Sequence, residues 1–327
     1  MLKIDSTIVY TDIFNIVALS QGHPVFKLEG WGDDNGRVDT VVVKMESISV
    51  NATSAHRRDV RVATGLMNMV DPGARTHVLK RDELEQLKMY ADGGNVVGPV
   101  GLAAANELKK LLADPKGVWT KMEVKRLVKL DDALASRLQG DKADVRVIAV
   151  ALKSSGGLEK LGQILAVDLF NGNNDRFDWE FGGGKDPNLP ARFKVVRNLG
   201  NVLVVCGANG TGKPIGLDSY DPNNAFKELG NAITAQDNWG GILLAANKGA
   251  ERTKLAENVI FDLEMILGPR SRKIPLGSKN RLGSNRKQRL LDGMRSGKTI
   301  IQRAMVAIKN RPNLPVGISS RIALLGW

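Results

Sequence analysis

A glycine-rich turn between two apolar segments, "NVLVVCGANGTGKPIGLDSYDP" at 201–222, constrains the fold of this chain more than any other feature. The spacing G-x4-G-K at 207–213 matches the start of a phosphate-binding P-loop, which also needs Ser or Thr next and then a helix. Pro214 stands at the Ser/Thr position, and further glycine and proline follow. Since Asn-Gly at 209–210 is a hairpin-turn dipeptide, the sequence predicts two antiparallel strands joined by this turn rather than a P-loop.

The two ends of this predicted hairpin carry polar side chains. Asn201 begins the first strand and Asp218 ends the second, and both offer the hard oxygen ligands that suit Mg²⁺. Upstream, Asp175 lies in the polar loop "NGNNDRF". Each residue also has a plainer interpretation, since Asp218 could start the turn "DSYDP" and Asp175 could belong to an ordinary surface loop.

The first half of the chain begins with β-type patterning. Three strands are predicted in "IFNIVAL", "VFKLEG" and "RVDTVVVKME", with a hairpin turn at Asn35-Gly36 between the last two. A helix over 54–70 follows and stops at Asp-Pro-Gly. Two more helices are expected over 81–91 and 101–114, and "GVWTKMEVKRLVKL" at 117–130 is a strand candidate.

The second half is predicted to be mainly helical. Apolar residues recur at helical spacing and indicate a buried helix that ends at "NGNNDRF"; they are Leu158, Leu161, Ile164, Leu165 and Leu169. After the hairpin the chain is expected to be helical from about 223 onward, with an interruption at 268–285. The predicted fold class is therefore α+β, with a small β-rich N-terminal part and a larger, mostly helical C-terminal part.

Composition restricts the class of protein and its partners. The 327 residues carry a net charge of +12, and Arg270–Arg311 holds thirteen Lys or Arg against the single acid Asp292. This bias favours an anionic partner, namely an anionic membrane surface, an acidic protein or nucleic acid, or else forms a solvated basic face. One cysteine, Cys206, excludes an internal disulfide and a cysteine zinc site. No membrane span or cleavable signal peptide is recognisable, so we expect synthesis in the cytoplasm.

The order of the predicted elements resembles the catalytic segment of the protein-kinase-like fold. These elements are a buried helix, an Asn-x-Asp-Arg loop, an Asn-led strand, a turn and a strand ending in Asp. The resemblance is to its atypical branch, which contains the phosphatidylinositol 3-/4-kinases and the HipA-like kinases. It implies a two-lobed fold, with an N-lobe at 1–123 and a C-lobe at 124–327. It also implies that Asp175 is the catalytic base and that Asn201 and Asp218 hold Mg²⁺. Asn198 is an alternative ligand, and Phe177 stands where the branch has a histidine.

The same resemblance implies a nucleotide site in the N-terminal part. Its predicted residues are Ser20, Gln21 and Gly22 in the turn over the phosphates, Lys44 on the α/β-phosphates, Asp59 holding that lysine, and Glu123 in the strand beside the adenine. Glu46 and Glu83 are alternative partners of Lys44. Taken by itself, such a lysine is more often a solvated residue on an edge strand than a ligand.

The expected function is thus an ATP- and Mg²⁺-dependent kinase-like phosphotransferase that acts on a protein hydroxyl or an inositol lipid. By analogy with the branch, the protein would be a bacterial effector or toxin secreted into a host or target cell. AMP transfer and glutamylation are also open to such folds. Two alternatives remain: a non-enzymatic basic protein that binds nucleic acid or an anionic surface, and a kinase-fold pseudoenzyme scaffold.

Overall fold

The computed structural model describes the chain in these ranges: 2–4, 8–20, 24–32, 38–46, 54–70, 77–92, 96, 98–114, 117–123, 127–129, 149–153, 156–173, 177–182, 192–197, 202–206, 214–219, 239–267 and 282–327. Its strands are β1 (Leu2–Ile4), β2 (Ile8–Ser20), β3 (Val25–Gly32), β4 (Val38–Glu46), β5 (His77–Val78), β6 (Val118–Glu123), β7 (Leu127–Lys129), β8 (Phe177–Gly182), β9 (Arg192–Arg197), β10 (Val202–Cys206) and β11 (Pro214–Ser219). Its helices are α1 (Ser54–Val70), α2 (Arg81–Asp92), α3 (Pro99–Leu112), α4 (Gly157–Asn171), α5 (Trp239–Asn247), α6 (Gly249–Leu267), α7 (Arg286–Ile308) and α8 (Val316–Leu325). The predicted α+β class is confirmed.

The chain divides into two compact units. The first comprises Met1–Asn68 and Ala74–Lys125, and the second comprises Met69–Gly73 and Arg126–Trp327. The first unit contains the larger antiparallel sheet, whereas the second contains five of the labelled helices and the shorter sheets. The interpretation of these units as kinase lobes stays a prediction.

The first unit is built on a six-stranded sheet in the order β1-β2-β3-β4-β6-β5. β2, β3 and β4 form an antiparallel meander, as the sequence predicts, and β6 pairs with the far side of β4. β4 is buried because neighbouring strands flank it and its apolar residues enter the core, which includes Phe26, Val43 and Trp119. The Asn35-Gly36 turn predicted between β3 and β4 lies outside the described residues.

α1 covers the full predicted range of 54–70. Its buried apolar side chains recur at helical spacing: Val60, Ala63, Met67 and Val70. α2 and α3 also match their predicted helices to within two residues at each end. α3 begins with Pro99, whose missing amide hydrogen is no loss in a first helical turn. This helix packs against β2.

The second unit contains the predicted hairpin. β10 and β11 pair antiparallel, and the register sets Leu203 opposite Asp218. Pro214 begins a strand, so the prediction that no P-loop helix follows the turn is confirmed. The strand candidate at 117–130 is two strands: β6 belongs to the large sheet, whereas β7 pairs with β10.

α4 is the central helix of the second unit. All five apolar positions predicted for it are buried, and every residue from Ile164 to Asn171 is buried as well. α7 crosses α4 with the two backbones in close approach. A Cβ at Gly293 would lie 2.1 Å from the Glu159 carbonyl oxygen, and one at Gly162 would lie 2.3 Å from the Leu290 carbonyl oxygen. The helices can cross this closely only because these positions carry no side chain.

An arginine–carboxylate pair joins the same two helices. Arg289 donates from Nε to Glu159 Oε1 at 2.8 Å and from its terminal amine to Oε2 at 2.9 Å. The Arg289 guanidinium holds the pKa of the Glu159 carboxyl below its usual value, and Glu159 in turn raises the pKa of Arg289. Within the described parts of the chain, no helix has both the length and the apolar character required to cross a membrane.

Candidate functional site

Lys44 lies near the end of β4, the third strand of the meander. β4 is an interior strand between β3 and β6, so the interpretation of Lys44 as a solvated edge-strand lysine is wrong. Its side chain is 17% exposed, and its Nζ lies 3.1 Å from Oε2 of Glu46. Since alternate residues of a strand share one face, this ion pair runs along the strand.

Glu46 is the more buried member of this pair. Its other oxygen, Oε1, accepts a hydrogen bond of 2.7 Å from the hydroxyl of Thr120, which lies opposite Lys44 on β6. Glu46 was an alternative partner of Lys44 in the sequence interpretation. The third acid considered, Glu83, forms an ion pair with Lys121 instead. Lys44, Glu46 and Thr120 are hereafter called the β4 polar cluster.

The other residues predicted for a nucleotide site lie on α1, β2 and β6 or outside the described residues. Asp59 is half-buried on α1. Ser20 and Glu123 are the last residues of β2 and β6, and Glu123 lies opposite Val41 of β4. Gln21 and Gly22 lie outside the described residues. The structure therefore joins Lys44 to Glu46 in one cluster, and the nucleotide roles of the remaining residues stay predictions.

The end of α4 forms a second polar site, inside the second unit. Asp168 is fully buried, and its Oδ1 accepts a hydrogen bond of 3.0 Å from the side-chain amide of Asn173. Gly172 ends the helix in the left-handed conformation, with φ of 82°, and its amide bonds to the Asp168 carbonyl. The side-chain amide of Asn171 is buried without a hydrogen-bond partner within the described part of the chain.

Arg321 of α8 closes this helix end. Its guanidinium is fully buried and donates to the carbonyl oxygens of Phe170 and Asn171, and also to that of Gly317 on its own helix. The last carbonyl groups of a helix have no partner inside the helix and carry partial negative charge, so a buried cation satisfies and stabilises them. Sequence reasoning missed both Arg321 and Asp168. The sequence offered one signal for this site, which is the acidic residue Asp168 within the apolar run of α4.

Of the predicted metal ligands and the predicted base, only Asp218 lies in a segment that the structure describes. Asp218 lies in β11, which packs against α4. Asn201, Asn198 and Asp175 lie outside the described residues. Among residues that the structure does describe, no group of three or more His, Cys, Asp or Glu gathers as a metal site. The carboxylate and amide oxygens of the predicted set still match the hard ligands that Mg²⁺ prefers.

Several charges in the described part of the basic segment form ion pairs within the chain. On α7, Arg286 pairs with Glu264, Lys287 with Glu257, and Arg289 with Glu159; Arg295 pairs with Asp292. Three of these four acids come from α4 and α6, outside the basic segment. The local excess of positive charge along α7 is therefore smaller than the sequence count indicates.

Comparisons with known proteins give no family for the chain. A scan against protein-family models finds no matching family, and neither the curated proteins nor the solved structures include a match.

Proposed function

We propose that this chain is an ATP- and Mg²⁺-dependent phosphotransferase with a two-lobed, kinase-like fold. The observation that carries the proposal is the β4 polar cluster, in which a largely buried lysine near the end of the third strand is held by a buried glutamate. Protein kinases contact nucleotide phosphates through a lysine on the third strand that a helix glutamate holds; here the lysine is on the third strand of the meander and a glutamate of the same strand holds it.

The burial of this pair supports a binding role. Removing two charges from water is costly, and an apolar pair of similar size is often no less stable. Lys27 and Glu29 form an ion pair of the same spacing on β3 at 2.8 Å, but their side chains are 33% and 25% exposed. Lys44 and Glu46 are 17% and 7% exposed. Lys121 and Glu83 form another buried pair, so burial by itself does not single out Lys44; its place near the end of β4 adds the phosphate role, in which Lys44 would donate to phosphate oxygens.

The second unit would supply the remaining chemistry. Asp175 would accept the proton of the attacking hydroxyl and orient it, while Asp218, with Asn201 or Asn198, would hold the metal. Mg²⁺, when bound, would neutralise negative charge on the nucleotide phosphates. The end of α4 supports this arrangement, because a buried helix end closed by Arg321 gives the following loop a fixed starting point.

The first test measures ATP binding by calorimetry and by thermal unfolding, with and without Mg²⁺. A ligand present at 100 times its Kd stabilises the native state by about 2.7 kcal/mol. We expect Mg²⁺-dependent stabilisation of the wild type, lost in Asp218→Ala and Lys44→Met. Lys27→Met is the matched control, since it breaks an ion pair of the same spacing on the neighbouring strand, and it should bind ATP normally. Absence of any ATP effect on the wild type would overturn the proposal.

The second test is transfer of the γ-phosphoryl group from radiolabelled ATP to protein substrates and to inositol lipids. Asp175→Asn should bind ATP like the wild type yet lose about a hundredfold or more of the transfer rate, the scale of a general base. A variant that transfers at the wild-type rate would remove Asp175 from the mechanism.

The basic segment Arg270–Arg311 is proposed to dock an anionic membrane or an acidic protein. The setting proposed for this activity is that of a secreted bacterial effector.

A further inference from the structure

An apolar pocket with two cations at its wall lies within the second unit. Five helices line it: α4, α5, α6, α7 and the end of α8. Its walls are mostly aliphatic, with Leu169, Leu243 and Ile301 among them. Trp327 closes one side and stacks on Phe170, with ring centroids 5.8 Å apart and planes 6° apart.

The cations are Arg252 of α6 and Lys298 of α7. Burial lowers the pKa of both side chains, and the proximity of positive charge lowers both further: Arg295 acts on Arg252, and Arg252 acts on Lys298. The Nε atom of Arg252 is buried and has no hydrogen-bond partner within the described part of the chain. Neither cation forms an ion pair with a described carboxylate, whereas Arg295 pairs with Asp292 at 3.0 Å.

A buried donor without an acceptor is costly, and so are two like charges held close together in partial burial. An anion between Arg252 and Lys298 would remove both costs, because it would accept from Nε and screen the repulsion. The apolar walls would gain from burial of a hydrocarbon group in the same pocket. The pocket thus has complementary features for a ligand that is anionic at one end and apolar at the other.

The size of the pocket narrows the class of ligand. Its interior volume is about 40 Å³, whereas a single water needs about 10–15 Å³ by the same measure. A space for only a few waters admits the first carbons of one alkyl chain, and the rest of a longer chain would lie in the open mouth of the pocket; a bulky ring system or a paired-chain lipid does not fit. We propose that this pocket binds a free alkyl carboxylate, with the carboxylate between Arg252 and Lys298 and the chain along the aliphatic walls. This inference does not depend on the phosphotransferase proposal.

The test is titration of the full chain with octanoate, measured by calorimetry and by tryptophan fluorescence. Acetate supplies the charge without the chain, and 1-octanol supplies the chain without the charge. We expect both to bind at least about tenfold more weakly than octanoate. Octanol binding as tightly as octanoate would overturn the role of the cations, and acetate binding as tightly would overturn the role of the walls.

Variants then locate the site. Arg252→Gln and Lys298→Gln should each weaken octanoate binding about tenfold. Lys254→Gln is the matched control, because this residue is exposed on the same helix and pairs with Glu251, and it should bind like the wild type. Arg252→Gln should also melt no lower than the wild type, since it removes a repelled cation. Unchanged affinity in both pocket variants, or an equal loss in the control, would overturn the proposal. A further outcome would also overturn the proposal. If the protein fails to bind octanoate but sediments with phosphatidylserine vesicles, and excess octanoate does not change that sedimentation, the two cations belong to a membrane-binding surface.

Discussion

The buried guanidinium of Arg321 donates a hydrogen bond to the carbonyl oxygen of Phe170, 151 positions earlier in the chain. Through this contact α8 closes the end of α4, the helix that leads toward the predicted catalytic loop. Arg321 also donates to the Asn171 carbonyl, so two of the free carbonyls of this helix end depend on one side chain.

We expect Arg321→Leu to lower the stability of the protein by about 2–4 kcal/mol, because it removes the guanidinium that donates to two buried carbonyl groups. In a unit of this size each kcal/mol corresponds to about 2–4 °C in Tm, so thermal unfolding will detect the change. Arg303→Leu on α7 is the control, since Arg303 is exposed and the substitution should change Tm little. Equal stability of the two variants would show that Arg321 does not hold the helix end.

Because α4 and α7 cross closely, adding one methyl group at Gly293 should lower the stability of the protein. In Gly293→Ala the new Cβ would meet the Glu159 carbonyl oxygen at 2.1 Å, so the helices must separate. We expect a loss of about 1–3 kcal/mol, the usual cost of overpacking, measured by denaturant unfolding.

Gly65→Ala is the opposite control for that variant. Gly65 lies inside α1, and a Cβ built there meets nothing within 4 Å. Alanine is the better helix former, so this variant should gain about 0.5–1 kcal/mol. A Gly293→Ala variant at least as stable as the wild type would contradict the close approach of α4 and α7.

The Arg289–Glu159 pair predicts a dependence of stability on pH. Because Arg289 lowers the pKa of Glu159 in the folded state, the pair contributes stability above the unfolded value of 4.5, and this contribution is lost as the pH falls through the folded pKa. Glu159→Gln should cost about 1 kcal/mol or less at neutral pH, given the partial exposure of both side chains. The difference in Tm from the wild type should shrink steadily as the pH is lowered below 4.5.

Glu257→Gln is the control for the pH measurement, since Glu257 pairs with Lys287 at 2.8 Å and both side chains are about half exposed. Its effect on Tm should be smaller at neutral pH. A gap between wild type and Glu159→Gln that widened in acid would contradict the expected sign.

In the β4 polar cluster, the hydroxyl of Thr120 is expected to contribute to stability through its hydrogen bond to Glu46. Thr120→Val keeps the side-chain shape but removes the donor to buried Glu46, so we expect a loss of about 1–3 kcal/mol in chemical unfolding. Thr253→Val removes a hydroxyl that bonds only to the Gly249 carbonyl of its own helix, at an exposed site. That variant should lose much less, and an equal loss would contradict the importance of the Glu46 contact.

Local pattern in the sequence was enough for many elements. The period of apolar residues predicts α4, because a helix must bury its apolar face, and the Asp-Pro-Gly stop predicts the end of α1. Pro214 after the glycine-rich turn predicts a strand rather than a P-loop helix, since proline removes the side-chain hydroxyl that such a loop needs. The meander of β2, β3 and β4 followed from alternation between turn residues. These features depend on neighbours within a few positions.

Long-range pairing was decided only by the tertiary structure. The sequence left three acids open for Lys44, and the strand face selected Glu46 while Glu83 paired with Lys121. Nothing local joins Arg321 to Phe170, or Arg252 to Lys298 across two helices. The strand candidate at 117–130 also divided between two sheets, which no period reveals. The sequence by itself therefore determined the elements, because backbone geometry fixes their periodicity. The folded chain decided which charges meet, because that depends on which elements pack together.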